Sequence, residues 1–149
     1  MKDELFLRGA QVPMTKEAVR ALALAKLELH RARHLIDIGA GTGSVSIEAA
    51  LQNPALRVTA IERQADALRL LAENQQRFGC DNIAIVVGVA PLAVADKADA
   101  IFMGGSGGQL TALIDWSLAQ LHPGGRLVMT FILQENLHSA LAHLRQSAM

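Results

Sequence analysis

The pattern of apolar and polar positions divides the chain into short aliphatic runs and longer amphipathic stretches. Short runs of Ile, Leu, Val and Ala are typical of buried parallel strands, whereas apolar residues repeated every three or four positions indicate helices. Strands are predicted at residues 34–38, 57–61, 82–87, 98–103 and 126–133. Helices are predicted at residues 16–29, 44–51, 65–78, 110–121 and 135–145.

Strands that alternate with helices of this length predict an α/β fold with a doubly wound, mostly parallel sheet. A chain of 149 residues fits one domain, residues 1–149. In such a sheet the carboxyl ends of the parallel strands share one edge, and ligands bind there, where the strand order reverses. Glycines follow the first, third and fourth predicted strands, so we expect the functional site at this edge.

The first predicted helix, 16–29, follows Thr15, whose hydroxyl is a suitable N-cap. Its apolar positions predict an inward stripe formed by Val19, Leu22, Ala23 and Leu27. Lys16 and Arg20 lie one turn apart on the same face of this helix, where they either meet carboxylates or face solvent.

Composition narrows the range of partners. The chain has 14 basic and 14 acidic residues, and the basic residues form no stripe, so no nucleic-acid partner is expected. The longest apolar run, 127–133, is far too short to span a bilayer, so no membrane partner is expected. The single cysteine, Cys80, excludes an internal disulfide and agrees with a cytoplasmic location. The five histidines lack ligand spacing, so no metal site is predicted.

A glycine-rich turn follows the first strand. Glycines at positions 39, 41 and 43 permit positive φ and close approach of a ligand, and a predicted helix begins directly behind them. Glu62 lies about 20 residues further on, at the tip of the second strand, where a carboxylate can accept both hydroxyls of a ribose. The glycines alone could serve only to close a tight turn, but together with the strand, the helix and Glu62 they favour a nucleotide site.

Two classes of nucleotide compete for this turn. A dinucleotide fingerprint has the order G-x-G-x-x-G, whereas the glycines here have the order G-x-G-x-G. That order resembles the first motif of Rossmann-like S-adenosylmethionine methyltransferases, as does Asp37, an acid that precedes the first glycine and is expected to orient the loop and attract the cationic cofactor. The expected cofactor contacts of this region are Asp37, Gly39, Ala40, Gly41, Thr42, Gly43 and Glu62.

The segments after the third and fourth strands refine this resemblance. Val89 stands where the superfamily usually has an acid for the adenine amino group, so we expect backbone N–H groups near Ala90 and apolar packing to hold adenine. A run of small residues follows the fourth strand, where the superfamily binds the methyl acceptor, and it lacks the Asn/Asp-Pro-Pro-aromatic clamp of amino-methylating enzymes. The expected substrate-binding residues are Gly104, Gly105, Ser106, Gly107 and Gly108.

Two elements point to one family. The P-x-T-x-x-x-V-R element at 13–20 and the G-G-S-G-G run at 104–108 resemble the CbiT family, the decarboxylating cobalt-precorrin-6B C15-methyltransferases of cobalamin biosynthesis, and the resemblance covers essentially the whole chain. It implies a further cofactor contact at Thr15 and a tetrapyrrole substrate, whose C15 is methylated while a ring acetate arm loses CO₂. The sulfonium of the cofactor makes its methyl group electrophilic, so the protein needs no nucleophile and no catalytic residue is named.

Two other interpretations stay open: a methyltransferase for another small-molecule acceptor, an RNA base or a protein carboxylate, and an inactive S-adenosylmethionine-binding module. Superfamily sheets usually carry two further strands beyond the last helix predicted here, so we expect a Rossmann-like sheet that lacks this C-terminal antiparallel pair. The fifth strand would then be an exposed apolar edge, which predicts a homo-oligomer.

Overall fold

The computed structural model describes residues 1–9, 12–104, 108–131 and 134–147, and within them strands alternate with helices except that the third and fourth strands follow each other with no helix between them. The strands are β1 (His34–Ile38), β2 (Arg57–Glu62), β3 (Ile83–Val87), β4 (Ala98–Met103) and β5 (Leu121–Met129). The α-helices are α1 (Glu17–Leu27), α2 (Ser44–Gln52), α3 (Ala65–Phe78), α4 (Leu110–Gln120) and α5 (Gln134–Ser147).

The strands form one sheet in the order β3-β2-β1-β4-β5, and every pair of neighbours is parallel. The order reverses between β1 and β4, which lie side by side although β2 and β3 lie between them in sequence. The α/β fold with a doubly wound, parallel sheet predicted from the sequence is therefore confirmed. Such a reversal opens a crevice at the carboxyl ends of the strands.

Helices cover the sheet on both faces, because successive strand residues point to opposite sides. Leu35 and Phe102 pack in one cluster, with residues of α1, α2 and α3. Ile36 and Ile101 pack in the other, with residues of α4 and α5. Each of these four side chains is at most 2% exposed, and full burial of one such side chain stabilises the fold by about 1.5–3 kcal/mol.

The first helix differs from its prediction. It begins at Glu17 after Lys16, with no side-chain cap, so Thr15 is not its N-cap, and it ends at Leu27. Its buried residues are Arg20, Ala23, Leu24 and Leu27, whereas Val19 and Leu22 are 46% and 61% exposed. The predicted inward stripe was therefore wrong at two positions, because burial of the Arg20 side chain rotates the helix away from the purely apolar phase.

The fifth strand also differs from its prediction, 126–133. It starts at Leu121, directly after α4, and pairs with β4 through a register shift between Ala98 and Ala100. The shift accommodates Pro123 and the glycines that follow it, which is possible because β5 is an edge strand and its outer side needs no ladder partner. Ile132 and Leu133 lie outside the described residues. None of the described helices has the length and apolar character needed to cross a membrane.

Candidate functional site

A cleft of about 340 Å³ opens at the carboxyl ends of the strands, at the point where the strand order reverses. This volume lies within the range of about 300–1,000 Å³ that small-molecule sites occupy. The lining residues come from the ends of β1 and β2, the segment after β3, the start of α4 and the chain before α1. They are Pro13, Ile38, Gly39, Ile61, Glu62, Arg63, Gln64, Gly88, Val89, Ala90, Gln109 and Leu113.

The glycine turn follows β1 and leads into α2, as the sequence predicted. Gly41 and Gly43 have φ values of +58° and +85°, in a region of backbone conformation that residues other than glycine rarely adopt. A Cβ atom on Gly41 would lie 2.6 Å from the carbonyl oxygen of Pro13, and one on Gly43 would collide with Leu71. The turn therefore needs glycine both for its conformation and for its close packing.

Glu62, at the end of β2, ties this turn to the cleft. Its carboxylate accepts hydrogen bonds from Gly41 N at 2.8 Å, Arg63 N at 2.9 Å and Gln64 N at 3.0 Å. The side chain is nearly buried, yet it lines the cleft. A carboxylate has about four acceptor positions, so these three bonds fix its orientation and leave it able to accept from a hydroxyl in the cleft.

Asp37 lies in β1, and it is not among the residues that line the cleft. Its side chain is 1% exposed and accepts a hydrogen bond of 2.6 Å from the hydroxyl of Ser46 in α2. The pKa of the Asp37 carboxyl is raised to about 6, because burial and, to a smaller extent, the nearby charge of Glu62 raise it by more than the hydrogen bonds from Ser46 lower it. In the structure, Asp37 joins β1 to the helix behind the glycine turn.

The other predicted cofactor residues occupy different positions around the cleft. Gly39 and Ala90 line it together with Glu62. Ala40 and Thr42 belong to the turn, where the carbonyl oxygen of Thr42 accepts a 2.9 Å hydrogen bond from Asn74. Thr15 precedes α1, and its Oγ1 would lie 3.8 Å from a Cβ atom on Gly104.

The predicted substrate-binding run begins at the end of β4. Gly104 follows this strand, and Gly108 has a φ of +83° close to the start of α4. Gly105, Ser106 and Gly107 lie outside the described residues, so the run is seen only at its two ends. Both ends belong to the carboxyl edge of the sheet that carries the cleft.

Several lining residues were not predicted from the sequence. Arg63 and Gln64 directly follow Glu62, and their position after a strand end was the available signal. Gln109 and Leu113 reach the cleft from the first turns of α4, which only the packing of that helix reveals. In the part of the chain that the structure describes, no group of three His, Cys, Asp or Glu side chains could hold a metal ion.

Comparisons with known proteins identify relatives that share this architecture. Residues 4–148 match the family described as precorrin methyltransferase domain. A relative from Salmonella typhimurium, cobalt-precorrin-6B C(15)-methyltransferase (decarboxylating), is 79% identical over 144 residues, which cover 97% of this chain and 75% of that protein.

Two solved structures agree with this match. The precorrin-6y C5,15-methyltransferase from Geobacter metallireducens superposes with a TM-score of 0.92 at 34% identity, covering 98% of this chain and 79% of that one. The precorrin 8w decarboxylase from Methanobacterium thermoautotrophicum superposes with a TM-score of 0.90 at 34% identity, covering 98% of this chain and 80% of that one.

Proposed function

The chain belongs to the precorrin methyltransferase family, and from that premise we propose that it methylates C15 of cobalt-precorrin-6B, with loss of CO₂ from a ring acetate arm. The methyl donor is S-adenosylmethionine, and the pathway is cobalamin biosynthesis. A relative at 79% identity carries the name of this activity. The remaining evidence is the fit between the cleft and the cofactor.

Glu62 is the observation that carries the cofactor assignment. It presents a carboxylate to a cleft of suitable volume, and three backbone N–H groups hold it in place. A carboxylate at the tip of the second strand, beside a glycine turn, is a suitable acceptor for a ribose hydroxyl, and the backbone bonds leave about one acceptor position for it. Ile38, Ile61 and Leu113 give the cleft the apolar surface that an adenine ring or a thioether chain needs.

The remaining predicted contacts have separate roles in this proposal. The backbone of residues 39–43 approaches the cofactor closely, and backbone N–H groups near Ala90 hold adenine together with apolar packing. Thr15 is a further cofactor contact, on the side of the cofactor that is near Gly104. Residues 104–108 border the acceptor, where small side chains leave room for a bulky macrocycle. Asp37 acts from behind the turn, as a negative charge that favours a cationic ligand and as a support for the loop.

S-adenosylmethionine, when bound, supplies an electrophilic methyl group, so the protein's contribution is alignment and the exclusion of water. The residues of the cleft fix the donor through Glu62 and the glycine turn. The acceptor carbon must then approach from the side of Gly104. No side chain of the described residues is assigned to acid–base catalysis.

Calorimetric titration with S-adenosylmethionine tests the cofactor. The wild-type chain is expected to bind it, and Glu62→Ala is expected to weaken binding by about 1–3 kcal/mol, the cost of removing a charged hydrogen-bond partner. Glu73→Ala is the matched control, because Glu73 is an exposed glutamate of α3 that forms a surface ion pair with Arg69 and does not line the cleft. Equal affinity of wild type and Glu62→Ala would remove Glu62 from the ribose site, and no binding to a folded wild-type chain would refute the cofactor.

Turnover tests the acceptor. Cobalt-precorrin-6B with S-adenosylmethionine labelled in the methyl group is expected to give a labelled corrinoid and one CO₂ per methyl transferred. Methylation of RNA or of a protein carboxylate instead would support another acceptor. Cofactor binding without transfer to any of these would support an inactive binding module.

We also propose that residues 1–149 form one domain and that the protein self-associates in the cytoplasm. The described strands form one sheet, and its outer strand β5 presents the half-buried Leu127, Val128 and Met129. An apolar edge strand of this kind favours association with another chain. Sedimentation that shows a monomer at high concentration would contradict the homo-oligomer.

A further inference from the structure

Among the described residues, Arg20 is the largest fully buried polar side chain, with an exposure of 0%. Its Nε donates to Glu48 Oε1 at 2.9 Å, and its Nη1 donates to Asp3 Oδ1 at 3.0 Å. The guanidinium carbon also lies 5.0 Å from the centre of the Phe6 ring. The sequence left open whether Arg20 meets carboxylates or faces solvent, and the structure shows that it meets carboxylates.

Two further hydrogen bonds of Arg20 go to the backbone. Its Nη1 donates to the carbonyl oxygen of Thr15 at 2.5 Å, and its Nη2 donates to that of Met1 at 2.5 Å. An ion pair needs only the carboxylates, whereas bonds to carbonyl oxygens fix the path of the main chain. The planar fork of arginine suits this task, because its donors point in fixed directions.

Asp3 and Glu48 supply the two carboxylates of this cluster. Burial acts to raise the pKa of Asp3, but the hydrogen bonds from Arg20 and from the Glu17 backbone, with the charges of Arg20 and Lys16, outweigh it and hold that pKa below its usual value. Glu48 lies in α2, the helix that starts directly behind the glycine turn. Arg20 therefore connects the N-terminal segment to the helix that carries the turn.

The segment held by Arg20 borders the cleft. Pro13 lines it, and the Pro13 carbonyl oxygen would lie 2.6 Å from a Cβ atom on Gly41, so the segment packs directly on the glycine turn. Two residues later, the Thr15 hydroxyl lies beside Gly104. The segment thus spans from the proposed cofactor turn to the proposed acceptor side.

We propose that Arg20 is a positioning residue: by holding the Thr15 carbonyl oxygen against α2, it sets residues 13–15 on the glycine turn and so shapes the cofactor cleft. Arg20 does not itself line the cleft and acts through this segment. The inference rests on the proposed binding of S-adenosylmethionine in this cleft.

The test is calorimetric titration of Arg20→Met with S-adenosylmethionine, which reports the dissociation constant and the number of binding sites per chain separately. The dissociation constant is expected to rise at least about ten-fold, since one positioning hydrogen bond to a charged donor is lost, with the number of sites unchanged. A merely structural role would instead lower the number of sites through unfolding and leave the dissociation constant as in wild type. That second result would overturn the proposal.

Arg126→Met is the matched control. Arg126 also donates to a backbone carbonyl, that of Lys26 at 3.0 Å, and pairs with Glu28 at 3.7 Å, but it does not line the cleft. The dissociation constant of Arg126→Met for S-adenosylmethionine is expected to stay within about two-fold of the wild-type value, because a surface ion pair contributes little. A loss equal to that of Arg20→Met would show a general effect of removing arginine and would refute the positioning role.

Arg20→Lys keeps the charge and serves if the methionine variant does not fold. An ammonium group can pair with one carboxylate but cannot reproduce the arginine fork, so the dissociation constant of Arg20→Lys for S-adenosylmethionine is expected to be at least about three times the wild-type value. A wild-type value would overturn the proposal. Absence of binding by the wild-type chain is a different result, since it refutes the proposed function and this inference together.

Discussion

Replacing Asp37 by asparagine is expected to remove part of the pH dependence of the free energy of unfolding. The Asp37 carboxyl is buried, with a pKa of about 6, whereas an aspartate in the unfolded chain has a pKa of about 3.9. Since the pKa is raised on folding, this group's stabilising effect is complete below the unfolded pKa. It is lost as the pH rises through the native pKa of about 6.

The size of the effect follows from the two pKa values. The folded chain must ionise a buried carboxyl that the unfolded chain ionises freely, which costs on the order of 3 kcal/mol by about pH 7. Asparagine carries no titrating group and keeps an oxygen that can accept from Ser46. The free energy of unfolding of Asp37→Asn, minus that of wild type, is therefore expected to increase by about 2 kcal/mol between about pH 4 and about pH 7, the rest of the change falling below about pH 4.

Urea unfolding at a series of pH values measures this difference, and the subtraction removes the titration of every other group. Asp96→Asn is the control, because the Asp96 carboxylate is exposed and forms a surface ion pair with Arg57 at 3.0 Å, worth about 0–1 kcal/mol. A difference for Asp37→Asn that stays constant across this range would mean that burial does not perturb Asp37. A difference that falls as the pH rises would mean that the folded chain stabilises the carboxylate, and the reasoning would be wrong in sign.

Three other predictions concern packing and reactivity. Gly41→Ala is expected to destabilise the fold by more than Gly79→Ala, which costs about 1–2 kcal/mol for its positive φ alone, because a Cβ on Gly41 meets the Pro13 oxygen while one on Gly79 meets open space; urea unfolding of both variants compares them, and equal losses would contradict the close packing. Asn74→Ala is expected to cost about 1–3 kcal/mol in the same assay, because it leaves Leu7 and Thr42 without their side-chain partner; a loss near zero would mean that water replaces it. Burial raises the pKa of the Cys80 thiol, so a disulfide reagent is expected to modify it only as fast as the chain unfolds, and rapid modification of the native chain would contradict this.

Secondary structure followed from local pattern where start and stop signals were strong. The predicted bounds 34–38, 65–78 and 98–103 coincide with β1, α3 and β4. Glycines directly follow the two strands, and Gly79 ends the helix in a left-handed conformation. The prediction failed at β5, because its start depends on pairing with β4 and not on any signal in its own residues.

Part of the candidate site could also be predicted from local pattern. The glycine turn, Glu62 and Ala90 follow strand ends, and a parallel sheet brings all strand ends to one edge. Gln109 and Leu113 were missed because a helix contributes to the cleft only through its packing angle. Asp37 was expected at the cofactor, and its place behind the turn depends on the hydrogen bond to Ser46.

The sequence by itself determined the class of fold, the edge of the sheet that holds the cleft and the resemblance to a methyltransferase family, since these depend on short runs of neighbouring residues. Only the tertiary structure decided which charged side chains are buried and what they hold. Arg20 shows the reason, because its partners Asp3 and Glu48 are distant from it along the chain. A pattern of apolar positions does not contain such pairings, and they determined both the rotation of α1 and the placement of residues 13–15 on the glycine turn.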